Sequence, residues 1–375
     1  MQFPPATCID TTEALQKLVI QLAQEPLLAI DTESNSMYAY RERVCLVQIS
    51  TRSADYIIDP LAGVDMSLLA PLMADPNIEK VFHAAEYDLI CLTRDYGFTF
   101  YNLFDTMTAA RICGYKTIGL AYLLAEHCGV EIDKSHQRDD WGQRPLSYES
   151  LRYAQMDTHY LPALRDTLQA RLESLKRLDE AREAFIDACH VHLPERDFDP
   201  DGYWRIGMPH DLTRREMAIL RELYLLREDI AQKRDAPAFK VFSNRTLIAI
   251  ARYQPRNNDE LLTIEGMSPL MVRRYGHQLL TATEHGRRAK LPPQPPQHTV
   301  AWAVTERYMA LHTWRKERAI ERGVESDVII SKDTLWVLAR EAPRTLDGLR
   351  NIRGLGPWRL QAYGEEILRV LTQNP

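Results

Sequence analysis

LLAID (27–31), followed at once by Thr32-Glu33, is a compact apolar run that ends in carboxylates. A short Leu/Ile-rich run bounded by polar residues predicts a strand. VCLVQIS (44–50) and DYIID (55–59) repeat the pattern at turn-length separations, so the three runs predict an antiparallel meander. EKVFHA (79–84) predicts a fourth strand, after a helix around 66–74. From 86 onward the pattern turns helical through EYDLICLTRDYG, FDTMTAARICGY and GLAYLLAEHCG. EIDKSHQRDDWGQRPLS (131–147) then predicts a long polar loop, and 148–190 is helical with few breakers. A meander followed by helix-linked strands predicts an α/β domain, a mixed sheet with helices around it.

The rest of the 375-residue chain reads differently. PERDFDPDGYWRIGMPH (194–210) has the composition of a linker, and KLPPQPPQH (290–298) is a second one stiffened by prolines. Between and beyond them lies a repeat. Aligning 223–280 with 311–368 at a constant offset of 88 gives 19 identities in 58 positions with no gap. They include Arg227/Arg315, Arg234/Arg322, Ser243/Ser331, Thr246/Thr334, Gly266/Gly354, Pro269/Pro357, Tyr275/Tyr363 and Gly276/Gly364. Each copy predicts a small all-helical domain, and the period is too long for a solenoid. The predicted division is 1–193 for the α/β domain, 194–210 linker, 211–290 first helical domain, 291–298 linker and 299–375 second helical domain.

Charge follows the same division. Residues 1–210 carry 19 Lys+Arg against 32 Asp+Glu, a net of −13, whereas the remainder carries a net of +7. A basic appendage suits a polyanionic partner. No apolar run approaches the roughly 18 residues a membrane span needs, and MQFPPATCID has neither a basic nor an apolar leader segment. Six scattered cysteines form no C-x-x-C pair, which argues against structural zinc and disulfides. A cytoplasmic protein is expected. With no long heptad seam, a monomer is expected too. No G-x-x-x-x-G-K-[ST] phosphate loop is present, so ATP use is not expected.

Three acidic clusters carry the chemistry. Asp31 and Glu33 stand two apart, so on a strand they share a face. Side by side at the end of an apolar strand they need a compensating cation; if the strand has already ended, both simply face water. Asp88, in HAAEYD (83–88), sits where a strand runs into a helix, with Glu86 as a neighbouring competitor. There it could equally serve only the helix dipole. Tyr153 and Asp157 lie four apart on a helix, hence on one face; a core Tyr beside a surface Asp is the plainer alternative. Taken together and in this order, the clusters supply four carboxylates and a phenol. Oxygen-only donors suit Mg2+ or Mn2+, and two such ions about 4 Å apart serve phosphodiester cleavage.

That order resembles the Tyr-containing branch of the DEDD exonuclease superfamily, with IDTES (30–34), HAAEYD (83–88) and YAQMD (153–157) as its three motifs. The family often has Asn where this chain has His83. The resemblance implies an RNase H-like fold, Asp31, Glu33, Asp88 and Asp157 as ligands of two divalent ions, and Tyr153 orienting the attacking water. DDWGQRPLS (139–147) resembles a segment of the ribonuclease D family, which would make Trp141 and Arg144 nucleic-acid-binding residues that position the end of the substrate strand. Each helical repeat resembles an HRDC domain, in LTIEGMSPLMVRRYG (262–276) and LRNIRGLGPWRLQAYG (349–364). Arg273, Arg274, Arg287, Arg288 and Lys290 would supply positive charge to a phosphate chain near the first. An exonuclease domain followed by two HRDC modules is similar to bacterial ribonuclease D over nearly the whole chain. The implied activity is 3′→5′ exoribonuclease action yielding nucleoside 5′-monophosphates, and the implied substrates are transfer RNA precursors and other structured RNA with short 3′ tails. A DNA-directed exonuclease uses the same carboxylates, and a non-catalytic RNA-binding protein is the reading from another class.

Overall fold

The computed structural model describes residues 4–194, 197–206, 212–293 and 300–373. Much of the 291–298 linker, and parts of 194–210, lie outside the described residues.

β2 (Leu27–Ser34), β3 (Val44–Ser50) and β4 (Asp55–Ile58) form the antiparallel meander expected from the three apolar runs. β5 (Glu79–Phe82) lies parallel to β2 on its other side. Two short strands complete the sheet: β1 (Thr7–Ile9), parallel to β4, and β6 (Leu103–Asp105), parallel to β5. The order is β1-β4-β3-β2-β5-β6. The sequence reading places 103–105 in a helical stretch; pairing with β5 overrides it. Three residues are too few to show an alternation of their own.

Helices flank the sheet: α1 (Thr12–Leu22), α2 (Ala70–Ala74), α3 (Glu86–Tyr96), α4 (Thr106–Cys113), α5 (Leu120–Cys128), α6 (Tyr148–His159), α7 (Leu161–Ser174) and α8 (Leu178–Ala188). The main core joins Leu28, Ile30, Val47, Ile49, Val81 and Phe82 of the strands to Leu89, Leu92, Leu164 and Leu168 of the helices. α6 crosses β2, β3 and β4 on the opposite face. A smaller core lies there, built from Cys45, Leu46, Ile57, Trp141 and Ala154.

The duplicated sequence folds twice into the same succession of long and short helices. The first copy is α9 (Arg214–Arg234), α10 (Ala238–Val241), α11 (Asn244–Tyr253), α12 (Asn258–Leu262) and α13 (Pro269–Arg288). The second is α14 (Trp302–Arg322), α15 (Ser326–Ile329), α16 (Lys332–Glu341), α17 (Leu346–Arg350) and α18 (Pro357–Gln373). The identities turn out to be scaffold. Arg227 donates to the Phe242 carbonyl at 3.1 Å, and Arg315 to that of Ile330 at 3.0 Å. Arg234 reaches the Tyr275 hydroxyl at 2.8 Å, and Arg322 that of Tyr363 at 2.5 Å. Ser243 and Ser331 cap α11 and α16 by accepting from Thr246 and Thr334. Gly266 and Gly354 have φ of +86° and +84°, and a Cβ at either would strike the hydroxyl of Thr246 or Thr334. Only glycine enters that left-handed region without strain.

Two bodies emerge. Met1–Ser34, Val44–Leu193 and Thr299–Pro375 form one; Asn35–Arg43 and Pro194–His298 form the other. In the first body the second helical copy is locked to α8. Arg322 grips Glu180, whose side chain is fully buried, at 2.9 and 2.5 Å. Arg359 pairs with Glu183 at 2.8 Å, and Glu183 also accepts from the Trp358 N–H at 2.5 Å. Breaking a buried pair strands its partner's charge, at a cost of about 3–5 kcal/mol. Arg322→Ala is therefore expected to lower thermal stability of the full chain by that order. Glu180→Leu with Arg322→Met should recover most of the loss. A single-variant cost under about 1 kcal/mol, the range of an exposed pair, would refute the lock.

Candidate active site

β2 sets the first two carboxylates. Asp31 and Glu33 point to one face, opposite Gln48 and Leu46 of β3. β5 pairs only with Leu27–Ala29 of β2, so among the described residues the strand's far half has no strand neighbour on that side. The chain leaving β5 turns into α3 there, and Asp88 fills the gap. Its Oδ1 accepts from the Thr32 N–H at 3.1 Å and from the Thr32 hydroxyl at 2.5 Å.

That turn is braced by Asp105, which the sequence reading passed over. Ala84, with φ of 63°, is held by its N–H to Asp105 Oδ1 at 3.0 Å, and Ala85 donates to Oδ2 at 3.2 Å. The same carboxylate caps α4 through Met107 and Thr108 at 2.8 and 3.2 Å. Its signal was Asp-Thr directly ahead of an apolar helix, an N-cap signature. His83, beside it, shares a 2.9 Å hydrogen bond with the Thr106 hydroxyl.

α6 brings the last two groups. Asp31, Glu33 and Asp157 each offer a carboxylate oxygen, and these three atoms lie within 4.8 Å of one another. Tyr153, one turn before Asp157, donates its hydroxyl to that carboxylate. Asp88 stands outside the trio, one oxygen committed to Thr32, yet near enough to act on Glu33 and Asp157.

Electrostatically the site is unbalanced. Burial, then the charge of Asp157, pushes Asp31 well above the usual carboxylate range. Burial, then Asp31, Asp157, Asp88 and Asp139, does the same to Glu33. Asp88 is raised by burial and by Asp31, against the opposing hydrogen bonds from Thr32. Asp157 is raised to about 7, chiefly by burial, with the Tyr153 hydrogen bond opposing. The charges acting on these groups are other carboxylates. A crowded cluster of hard oxygen donors, half-buried at Asp31, Glu33 and Asp157 and buried at Asp88, fits a divalent cation of the Mg2+ or Mn2+ type, which would supply the missing positive charge. Burial and the same carboxylates push the Tyr153 phenol upward, so it stays protonated and neutral.

The other residues singled out in the sequence are placed differently. Trp141, expected near the end of the substrate strand, is only 2% exposed and packs in the small core with its ring 6.2 Å from that of Tyr153. Arg144 pairs with Asp59 at 2.6 and 2.7 Å and donates to the Cys45 and Trp141 carbonyls, bracing the loop against the sheet. In the first helical copy, Arg287 and Arg288 both pair with Glu284, at 2.9 and 2.7 Å. Arg273, Arg274 and Lys290 are exposed, Arg274 with its guanidinium 5.4 Å from the Tyr275 ring centre.

Comparisons with known proteins bear on the family. Residues 6–173 match a family described as 3′-5′ exonuclease, and residues 216–283 and 304–371 each match the HRDC domain. Ribonuclease D of Gluconacetobacter diazotrophicus is 35% identical over 384 residues, covering 98% of this chain and 93% of the relative. Among solved structures, Escherichia coli RNase D superposes with a TM-score of 0.69 at 26% identity, covering 99% of this chain and all of that one. The catalytic core of RRP6 from Trypanosoma brucei gives 0.68 at 32% identity, over 75% of this chain and 79% of the other. An exonuclease domain followed by two HRDC modules, in a chain 98% covered by such a relative, places the chain in the ribonuclease D family of 3′→5′ exoribonucleases.

Proposed function

We propose that this exoribonuclease shortens the 3′ ends of structured RNA, transfer RNA precursors among them, releasing nucleoside 5′-monophosphates with the help of two Mg2+ or Mn2+ ions. The observation that carries the reading is the trio Asp31, Glu33 and Asp157, three carboxylate oxygens within 4.8 Å of one another. Its Escherichia coli relative is an exoribonuclease involved in structured RNA processing, which supports the substrate class.

Asp31, Glu33 and Asp157 would hold one ion. Asp31 would be shared with the second, for which Asp88 keeps its Oδ2 free of the Thr32 hydrogen bonds. Bound ions at such a site lower the pKa of a water and neutralise charge on the leaving 3′-oxygen. The chain's own residues do the rest. Tyr153 is a neutral phenol beside Asp157 and orients the attacking water by hydrogen bonding, not as a base. Thr32 fixes the Asp88 carboxylate through two hydrogen bonds, and Asp105 fixes the turn that carries it. Arg273, Arg274 and Lys290 are exposed cations suited to meeting phosphates; Arg287 and Arg288 would first have to leave Glu284. We infer a cytoplasmic monomer, with 1–193 as the catalytic domain and the two helical domains as grips on folded RNA. Among the described residues no helix is long and apolar enough to cross a membrane.

The test is a transfer RNA-like substrate labelled in a short 3′ tail, incubated with Mg2+, Mn2+ or EDTA, with products resolved by chromatography. Stepwise release of 5′-mononucleotides with either metal and none in EDTA is expected. The same tail made of DNA should be a poorer substrate. Metal-independent release, or products carrying 3′-phosphates, would overturn the proposal.

A further inference from the structure

β3 is apolar apart from Gln48 and the terminal Ser50, and of the two Gln48 is the one without a partner. Gln48 has no exposed surface, and neither its Oε1 nor its Nε2 has a hydrogen-bond partner among the described residues. An unpartnered buried amide is costly, and an aliphatic side chain of the same volume would avoid the cost. Its position says what it faces. Gln48 is the register partner of Asp31 across the antiparallel pair, and directly opposite residues share a face. The face is the one beneath α6. Two residues along β3, the Ser50 hydroxyl meets that of Thr158 at 2.7 Å; two residues back, Leu46 packs with Ala154. Thr158 follows Asp157 directly. The amide therefore lies between Asp31 on the neighbouring strand and the turn of α6 that carries Asp157, with Ile57 of β4 on its other side.

A carboxylate that gives one oxygen to a metal ion keeps lone pairs on the other, and outer partners that donate to those lone pairs hold the ligand in orientation. Gln48 offers two N–H groups that have no other use. We propose that Gln48 is a positioning residue of the metal centre, its Nε2 donating to the outer carboxylate oxygen of Asp31 when divalent ions are bound. The inference rests on the reading of Asp31, Glu33 and Asp157 as metal ligands. It would make the polar break in β3 the reason that Asp31 presents one fixed oxygen to the ion.

Gln48→Leu and Gln48→Met in the full chain test it. Thermal denaturation is measured in EDTA and across a Mn2+ titration, and kcat and KM for a tailed RNA are measured at limiting and saturating Mn2+. Both variants should melt in EDTA at or above the wild-type temperature, since an unpartnered buried amide has been removed. The Mn2+ concentration giving half of the metal-induced stabilisation should rise about 10–100-fold. KM for RNA should not move, and kcat should recover as Mn2+ is raised. Wild-type Mn2+ midpoints in both variants would overturn the inference while leaving the metal site intact. So would a fall in EDTA melting temperature in both, because the amide would then already have a partner without metal. If the wild type itself shows no Mn2+-induced stabilisation, the metal reading fails and takes this inference with it.

Discussion

Asp157→Asn is expected to abolish shortening of the RNA 3′ end, by at least about a thousandfold, while making the metal-free protein harder to melt. The two effects have one cause. Asp157 is one of three carboxylates whose oxygens crowd within 4.8 Å, and burial has already pushed it to about 7. In the absence of a cation the trio repels itself, so a neutral amide of the same shape relieves the fold. The Asn carbonyl can still accept the Tyr153 hydroxyl, so α6 keeps its local geometry. With substrate and metal the balance reverses. Losing a ligand charge forfeits several kcal/mol of stabilisation of the developing phosphate charge, and about 4 kcal/mol is a factor of a thousand. Initial rates on a tail-labelled RNA and melting curves in EDTA check both halves. Activity within tenfold of wild type would remove Asp157 from the site. A lower melting temperature in EDTA would mean the cluster is not a repulsive one.

Such opposed effects mark the part of the site that local sequence could reveal. Asp31 and Glu33 were legible because a strand's alternation is rigid, and Tyr153 and Asp157 because a helix brings i and i+4 together. What neither periodicity could show is the gap beside Thr32, which exists only because β5 stops pairing after Ala29. Asp88's hydrogen bonds to Thr32 depend on that gap. The burial of Trp141 was hidden for a similar reason. Its neighbours in DDWGQRPLS are polar, yet Arg144 reaches Asp59, far back in the chain, and pulls the loop over the small core. The helical duplication was legible because identities accumulate where a fold repeats its joints, as at Arg227 and Arg315 or Gly266 and Gly354. The anchoring of the second copy to α8 was not, since Glu180 and Glu183 meet Arg322 and Arg359 from more than a hundred residues away. Gln48 was in plain view within VCLVQIS, but one polar residue in a strand acquires meaning only once its register partner is known to be Asp31.

The same repulsion fixes how the ion-free protein should respond to pH. Unfolded carboxylates titrate near 4, whereas in the fold Asp157 sits at about 7, and Asp31, Glu33 and Asp88 are held well above their ordinary value. Between those limits the native state binds more protons than the unfolded one, so stability falls as pH rises through the window from about 4 to about 7. In EDTA the melting temperature should therefore climb as pH is lowered from 8 to 5.5, by at least about 5 °C on a scale of 2–4 °C per kcal/mol. Groups shifted the other way act only below this window. Asp166, lowered chiefly by its hydrogen bond from Arg52, contributes stability above its unfolded value and loses it as pH falls below about 4. Saturating Mn2+ should invert the slope between pH 5.5 and 8, because a metal that needs ionised ligands competes with protons for them. The metal-induced rise in melting temperature should then grow with pH. Asp157→Asn should flatten the EDTA curve, having removed one of the protons it measures. An EDTA curve that rises with pH in the wild type would place the four carboxylates in a compensated environment and leave the site without its need for a cation.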